Sequence, residues 1–121
     1  MLQRGSDGVP LTTGKLGYSG SWLDAKECIE YIHNKYVIDK KTGKKRTRLY
    51  AQCISLGAIM FSNYMGKEKQ KVKELVDGVA FYATPWSTSK GWRYFYENGF
   101  GLYAKLLGLG INKRIKDICL P

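Results

Sequence analysis

LYAQCISLGAIMFSNYM, residues 49–65, carries the clearest apolar periodicity in the chain. Tyr50, Cys53, Ile54, Gly57, Ala58, Phe61, Tyr64 and Met65 recur at three- and four-residue spacing. That period predicts a helix over 49–65 with one apolar face, stopped at Gly66. Ser55, Ser62 and Asn63 interrupt the run, so it reads as a core helix rather than a membrane span. Gly57 and Ala58 are small enough to let a second element approach closely.

On the N-terminal side, VIDKKTGKKRTR (37–48) breaks the pattern. Asp39 to Gly43 is a turn signal, and Val37, Ile38, Leu49 and Tyr50 flank it symmetrically. This predicts either a basic β-hairpin or an ordered loop over 36–50. Before it, Trp22, Ala25, Cys28, Ile29, Ile32 and Tyr36 form another helical stripe, opened by a capping-box-like pair, Ser21 and Asp24. Residues 1–20 are glycine-rich and polar. They read as an extended or flexible arm whose last part packs on a single helical domain, 21–121.

On the C-terminal side, Val72, Leu75, Val76, Val79, Ala80 and Ala83 predict a third helix over 67–83, ended by Pro85. Ser87, Thr88 and Ser89 offer caps for the next. Trp92, Phe95, Tyr96, Phe100, Tyr103, Leu106 and Leu107 then share one face and are expected in the core. Asn98-Gly99 is the expected break within this segment. Gly108 and Gly110 are the expected end, with a short last helix around Ile111, Ile115 and Ile118. The expected fold is mainly α, a compact bundle of four to five helices.

The chain has 121 residues, with twenty Lys and Arg against ten Asp and Glu. A net charge of +10 repels itself in a compact state, and a polyanionic partner relieves that cost. Nucleic acid, DNA or RNA, is the leading partner. An anionic membrane surface and an acidic protein partner follow, and a homo-oligomer is compatible. No apolar run of transmembrane length and no signal-peptide pattern is seen. Cys28, Cys53 and Cys119 are odd in number and widely spaced, which suits thiols in an intracellular compartment, cytoplasmic or nucleoid- or nucleus-associated.

Three clusters of cations form the expected interface. Lys40, Lys41, Lys44, Lys45, Arg46 and Arg48 lie in the basic segment, alongside Lys35. Lys67, Lys69, Lys71 and Lys73 crowd the expected start of the third helix, where positive charge opposes the helix dipole and would suit a bound anion. Lys113, Arg114 and Lys116 form the third. Lys90 and Arg93, with Trp86 and Tyr94, are candidates for gripping phosphate or stacking on bases. A helix-turn-helix over 67–98 is a further reading of the same residues.

Catalysis has little support. No P-loop, GxGxxG or GxSxG is present, no acidic pair is spaced for two-metal chemistry, and no metal or cofactor is expected. His33 is the one histidine. A metal-independent ribonuclease or toxin would need it beside a cation such as Lys35 or Arg46. The composition also suits a DNA-coating structural protein, assembling through Gly57 and Ala58, or a phage-type protein binding an acidic partner. The expected function is nucleic-acid binding through phosphate contact with low sequence specificity.

Overall fold

The computed structural model describes Arg4, Leu11 and residues 14–119, the last two by backbone alone. Most of the expected arm therefore lies outside the described residues, as do the Ile118 side chain and the Cys119 thiol. The chain is mainly α and divides into two units, one spanning Gly17–Thr84 and one taking in Pro85 onward.

The first unit begins with α1 (Trp22–Ile32). Ser21 precedes it, but its hydroxyl accepts from the Tyr18 N–H at 3.1 Å instead of capping the helix. The capping box with Asp24 is therefore not made. Ser21 N–H donates to Tyr18 O, and Asn63 Nδ2 donates to Ser19 O, so residues 18–21 are anchored to this unit.

The buried positions after Trp22 are Ala25, Ile29, His33 and Val37, at strict intervals of four. On an α-helix such a stripe drifts by about 40° per step. The chain compensates by widening into a π-helical turn over His33–Val37, closed by the Ile38 N–H on His33 O. Val37 thus turns inward, and Tyr36, expected on the apolar face, is exposed.

The 49–65 segment divides in two. Tyr50–Ile54 is a strand, β1, and the helix α2 runs Leu56–Glu68. Gly66 does not stop α2; the stop is Lys69, and a short α3 (Gln70–Leu75) follows. Residues 78–82, expected at the end of the third helix, form β2 (Gly78–Tyr82). The strands pair in parallel, Tyr50 opposite Gly78 through Ile54 opposite Tyr82. Parallel neighbours need a long crossover, and α2 and α3 supply it. Aromatic and β-branched residues at 78–82 suit a half-buried strand, and this long-range pairing overrides the local helical period.

The core of this unit joins Ala25 and Ile29 of α1, Cys53 of β1, Ala58, Phe61 and Tyr64 of α2, Val72 of α3 and Val76 after it. Phe61 meets Tyr64 and Phe81 edge-on, at ring separations of 5.7 and 6.3 Å. Burial of such side chains stabilises by roughly 1.5–3 kcal/mol each. Ala58 is fully buried here, whereas Gly57 beside it is half-buried and faces open space. Two ion pairs brace α1 against the crossover, Lys26 to Glu68 at 2.8 Å and Lys71 to Glu30 at 2.7 Å.

The second unit holds α4 (Thr88–Glu97), a tight corner at Gly99–Gly101 and α5 (Leu102–Cys119). Ser87 caps α4 by accepting from the Lys90 N–H, and the chain breaks at Asn98-Gly99 as its sequence indicates. The helix α5 runs through Gly108 and Gly110 without a stop. The aromatic stripe is not core. Trp92, Phe95, Tyr96, Phe100 and Tyr103 are all exposed, and the buried position of this unit among the described residues is Gly101. The helical period holds along both helices, but nothing in the described unit covers the face.

The turn from β1 into α2 places Ser55 at φ 50°, ψ −117°, a conformation that favours glycine. Ser55→Gly is expected to be at least as stable as the wild type. Ser55→Val is expected to lose about 1–3 kcal/mol in chemical denaturation, because a β-branched side chain is strained there.

Candidate nucleic-acid interface

The basic segment is an ordered loop with one antiparallel bridge, Ile38 to Lys45. Asp39 shapes its tip. Its carboxylate accepts from the N–H groups of Lys41 at 2.7 Å and Thr42 at 3.0 Å, an Asx turn. The Gly43 N–H donates to Asp39 O, with Gly43 at φ 67° completing the reversal. The Thr42 and Lys41 amides hold the Asp39 carboxyl below the usual aspartate range.

Asp77 holds the base of the loop. Its carboxylate accepts from the Leu49 N–H at 2.8 Å and from Lys45 Nζ at 3.0 Å, while its own N–H donates to Leu49 O. The Leu49 amide and the Lys45 ammonium keep its carboxyl low. Arg46 donates from Nε to Tyr36 O at 2.7 Å, and its N–H donates to Val37 O. The Arg48 guanidinium is held charged chiefly by Tyr50. Lys35 bonds the Tyr31 hydroxyl at 2.6 Å and lies over the Tyr31 and Tyr36 rings.

The cations therefore fall into two sets. Lys45 and Arg46 are tied inward, whereas Lys40, Lys41 and Lys44 are exposed at the tip and make no ion pair among the described residues. The turn fixes three ammonium groups within five residues. Their mutual repulsion is a cost that an anionic partner removes.

The 67–73 cluster is not a helix start. Lys67 lies in the last turn of α2, where the dipole favours it, and Lys69 is the corner residue. Lys71 pairs with Glu30, and α3 has six residues. The anion site expected from dipole frustration is thus not formed. Lys69 and Lys73 instead border an open groove of about 740 Å³ whose apolar lining comes from Met65, Val72, Val76, Val79 and Phe81.

In the second unit, Arg93 Nε pairs with Glu97 at 2.6 Å, one turn along α4. Lys90, Trp86 and Tyr94 are exposed, and Lys113, Arg114 and Lys116 lie along the exposed last turns of α5. A helix-turn-helix over 67–98 is absent, because 78–82 is a strand.

His33 is buried in the π-helical turn, and its Nδ1 has no hydrogen-bond partner. Lys35 is engaged with Tyr31 and Tyr36, and Arg46 with the Tyr36 carbonyl, and among the described residues neither bonds the imidazole. Ser55 carries no signal in the sequence, since CISLG lacks the first glycine of a nucleophile-elbow motif. Its backbone has the strained strand-to-helix turn, but among the described residues no imidazole or carboxylate bonds its hydroxyl. A serine without a base is a weak nucleophile. No group of three or more His, Cys, Asp and Glu able to hold a metal occurs among the described residues. Cys28 and Cys53 are free thiols.

No protein-family model, curated protein or solved structure matches the chain. No helix of the described residues is long and apolar enough to cross a membrane.

Asp77→Ala is expected to free the loop, with the Leu49 amide exchanging hydrogen several-fold faster and α2 amides unchanged. Asp77→Asn, which keeps an acceptor for Leu49 but not the charge for Lys45, falls between. Both Asp39 and Asp77 have lowered folded values. Their support for the loop is therefore full at and above the ordinary aspartate range. It fades as pH falls through the lower folded values. Amide exchange followed from neutral pH into acid checks this.

Proposed function

We infer that this chain binds nucleic acid through phosphate contacts of the 38–48 loop, with low sequence specificity. The observation that carries this reading is the loop tip. Lys40, Lys41 and Lys44 are exposed on a turn whose backbone is pinned by Asp39 and Asp77. Pinning lowers the ordering cost when a backbone of phosphates arrives. Lysine is a point charge without a planar fork, so it neutralises phosphate but does not read bases bidentately.

Lys67, Lys69 and Lys73 extend the basic surface of the same unit, and Arg48 adds a permanent charge near the loop base. Free thiols at Cys28 and Cys53 suit action inside a cell, where DNA or RNA is present. The single buried histidine favours binding over cleavage.

Fluorescence anisotropy with labelled DNA and RNA across a salt series tests the reading. Binding is expected to weaken steeply with salt, and Lys40→Gln/Lys41→Gln/Lys44→Gln is expected to flatten the log–log slope by about two to three. Lys45→Gln is expected to change the slope far less, because Asp77 already holds that ammonium. A flat salt dependence, or a triple variant that binds like the wild type, overturns the assignment.

A further inference from the structure

The second unit presents its apolar side chains outward. Phe100 is fully exposed at 102% and sits at the corner between α4 and α5, at φ 54°, ψ 29°. Tyr96, Leu102, Tyr103 and Leu106 surround that corner and are each more than half exposed. Further along α5, Leu109 lies in line with Leu102 and Leu106, while Leu107, Ile111 and Ile115 follow a different side. All are exposed, so the helix is apolar on more than one face. The side that carries Leu102, Leu106 and Leu109 continues the apolar surface of the Phe100 corner along α5.

The charges are placed apart from the corner. Lys90 and Arg93 lie toward the start of α4, and Lys113, Arg114 and Lys116 lie in the last turns of α5. Glu97, next to the corner, is neutralised by Arg93. Lys105 is one turn into α5, where its aliphatic stem can lie along apolar surface with the ammonium at the edge. From Pro85 onward the chain has six Lys and Arg against Glu97 and Asp117. This excess of four positive charges beside the apolar corner suits an anionic surface.

We propose that the α4–α5 unit is a peripheral membrane-binding element that inserts its Phe100 corner into an anionic phospholipid surface. Phe100, Tyr96, Leu102 and Leu106 enter the boundary between headgroups and acyl chains. Lys90, Lys113 and Lys116 meet the anionic headgroups. Exposed Trp86, Trp92 and Tyr103 supply the amphipathic rings that settle at such a boundary. The element lies on the bilayer and does not cross it, in keeping with the absence of a spanning helix among the described residues.

Flotation of the full chain with phosphatidylcholine vesicles, and with vesicles containing phosphatidylserine, is the test. The chain is expected to float with the anionic vesicles, about tenfold more than with phosphatidylcholine alone, and less at high salt. Phe100→Ser removes no packing, since the ring is fully exposed, and is expected to reduce partitioning about tenfold. Lys113→Glu/Lys116→Glu is expected to do the same on anionic vesicles. In a Trp22→Phe background, the emission of Trp86 and Trp92 is expected to shift to shorter wavelength on vesicle addition. Failure to float with anionic vesicles overturns the proposal. So does flotation that ignores Phe100→Ser, because the basic loop would then be the attachment. So does a stable dimer of the free chain that Phe100→Ser dissociates. The nucleic-acid reading rests on other residues and survives any of these results.

Discussion

Parallel pairing of Tyr50–Ile54 with Gly78–Tyr82 is the constraint on which the first unit depends. The chain must leave one end of the sheet and re-enter from the other, so α2 and α3 are forced across it. That path presses Ala58, Phe61 and Tyr64 onto the strands and leaves an outer side for α1 to cover. It also brings Asp77, just before β2, beside Leu49, just before β1. The clamp that orders the basic loop is thus a by-product of strand register. Without the pairing, Asp77 and Lys45 would be 32 residues apart with no reason to meet.

Helices α1 and α4 were legible because each combines a period with a boundary. Serine precedes α1, and Pro85 with Ser87 precedes α4. The strands were not, for a specific reason. Tyr50, Cys53 and Ile54 continue into Gly57, Ala58 and Phe61 at helical spacing, so a five-residue strand hides inside a longer helical pattern. Its partner lies 28 positions away, beyond any window of local periodicity. The charged loop was legible as charge and as a turn. Which cations point outward was not, because that depends on Asp77, 32 residues from Lys45, and on the Tyr36 carbonyl that holds Arg46.

The two units handle apolar surface differently. The first gathers Ala25, Ile29, Phe61, Tyr64 and Val72 into a buried core and displays ammonium groups on a fixed turn. The second displays both, with aromatic and aliphatic side chains concentrated near one corner and cations away from it. Periodicity reports that a helix has an apolar face, and it is silent on what meets that face. The same stripe reads as core, interface or lipid contact until coordinates show what lies opposite. Here the exposure of Phe100 rules out the first of these, since a core position would not leave its ring bare.

The π-helical turn at His33–Val37 carries a last consequence. It works as a phase corrector, holding one extra residue per winding so that four-residue intervals stay aligned. Between the buried His33 and Val37, length matters more than side-chain identity. Shortening it by one residue would restore ordinary α winding and rotate everything downstream. Val37 would leave the interior, and its carbonyl would lose the Arg46 amide. The loop would then be offset by one position against Asp77. Conservative substitutions at 34–36, all exposed, leave that offset untouched. Among natural variants of this chain, the region between α1 and the basic loop should therefore tolerate changes of residue far better than changes of spacing.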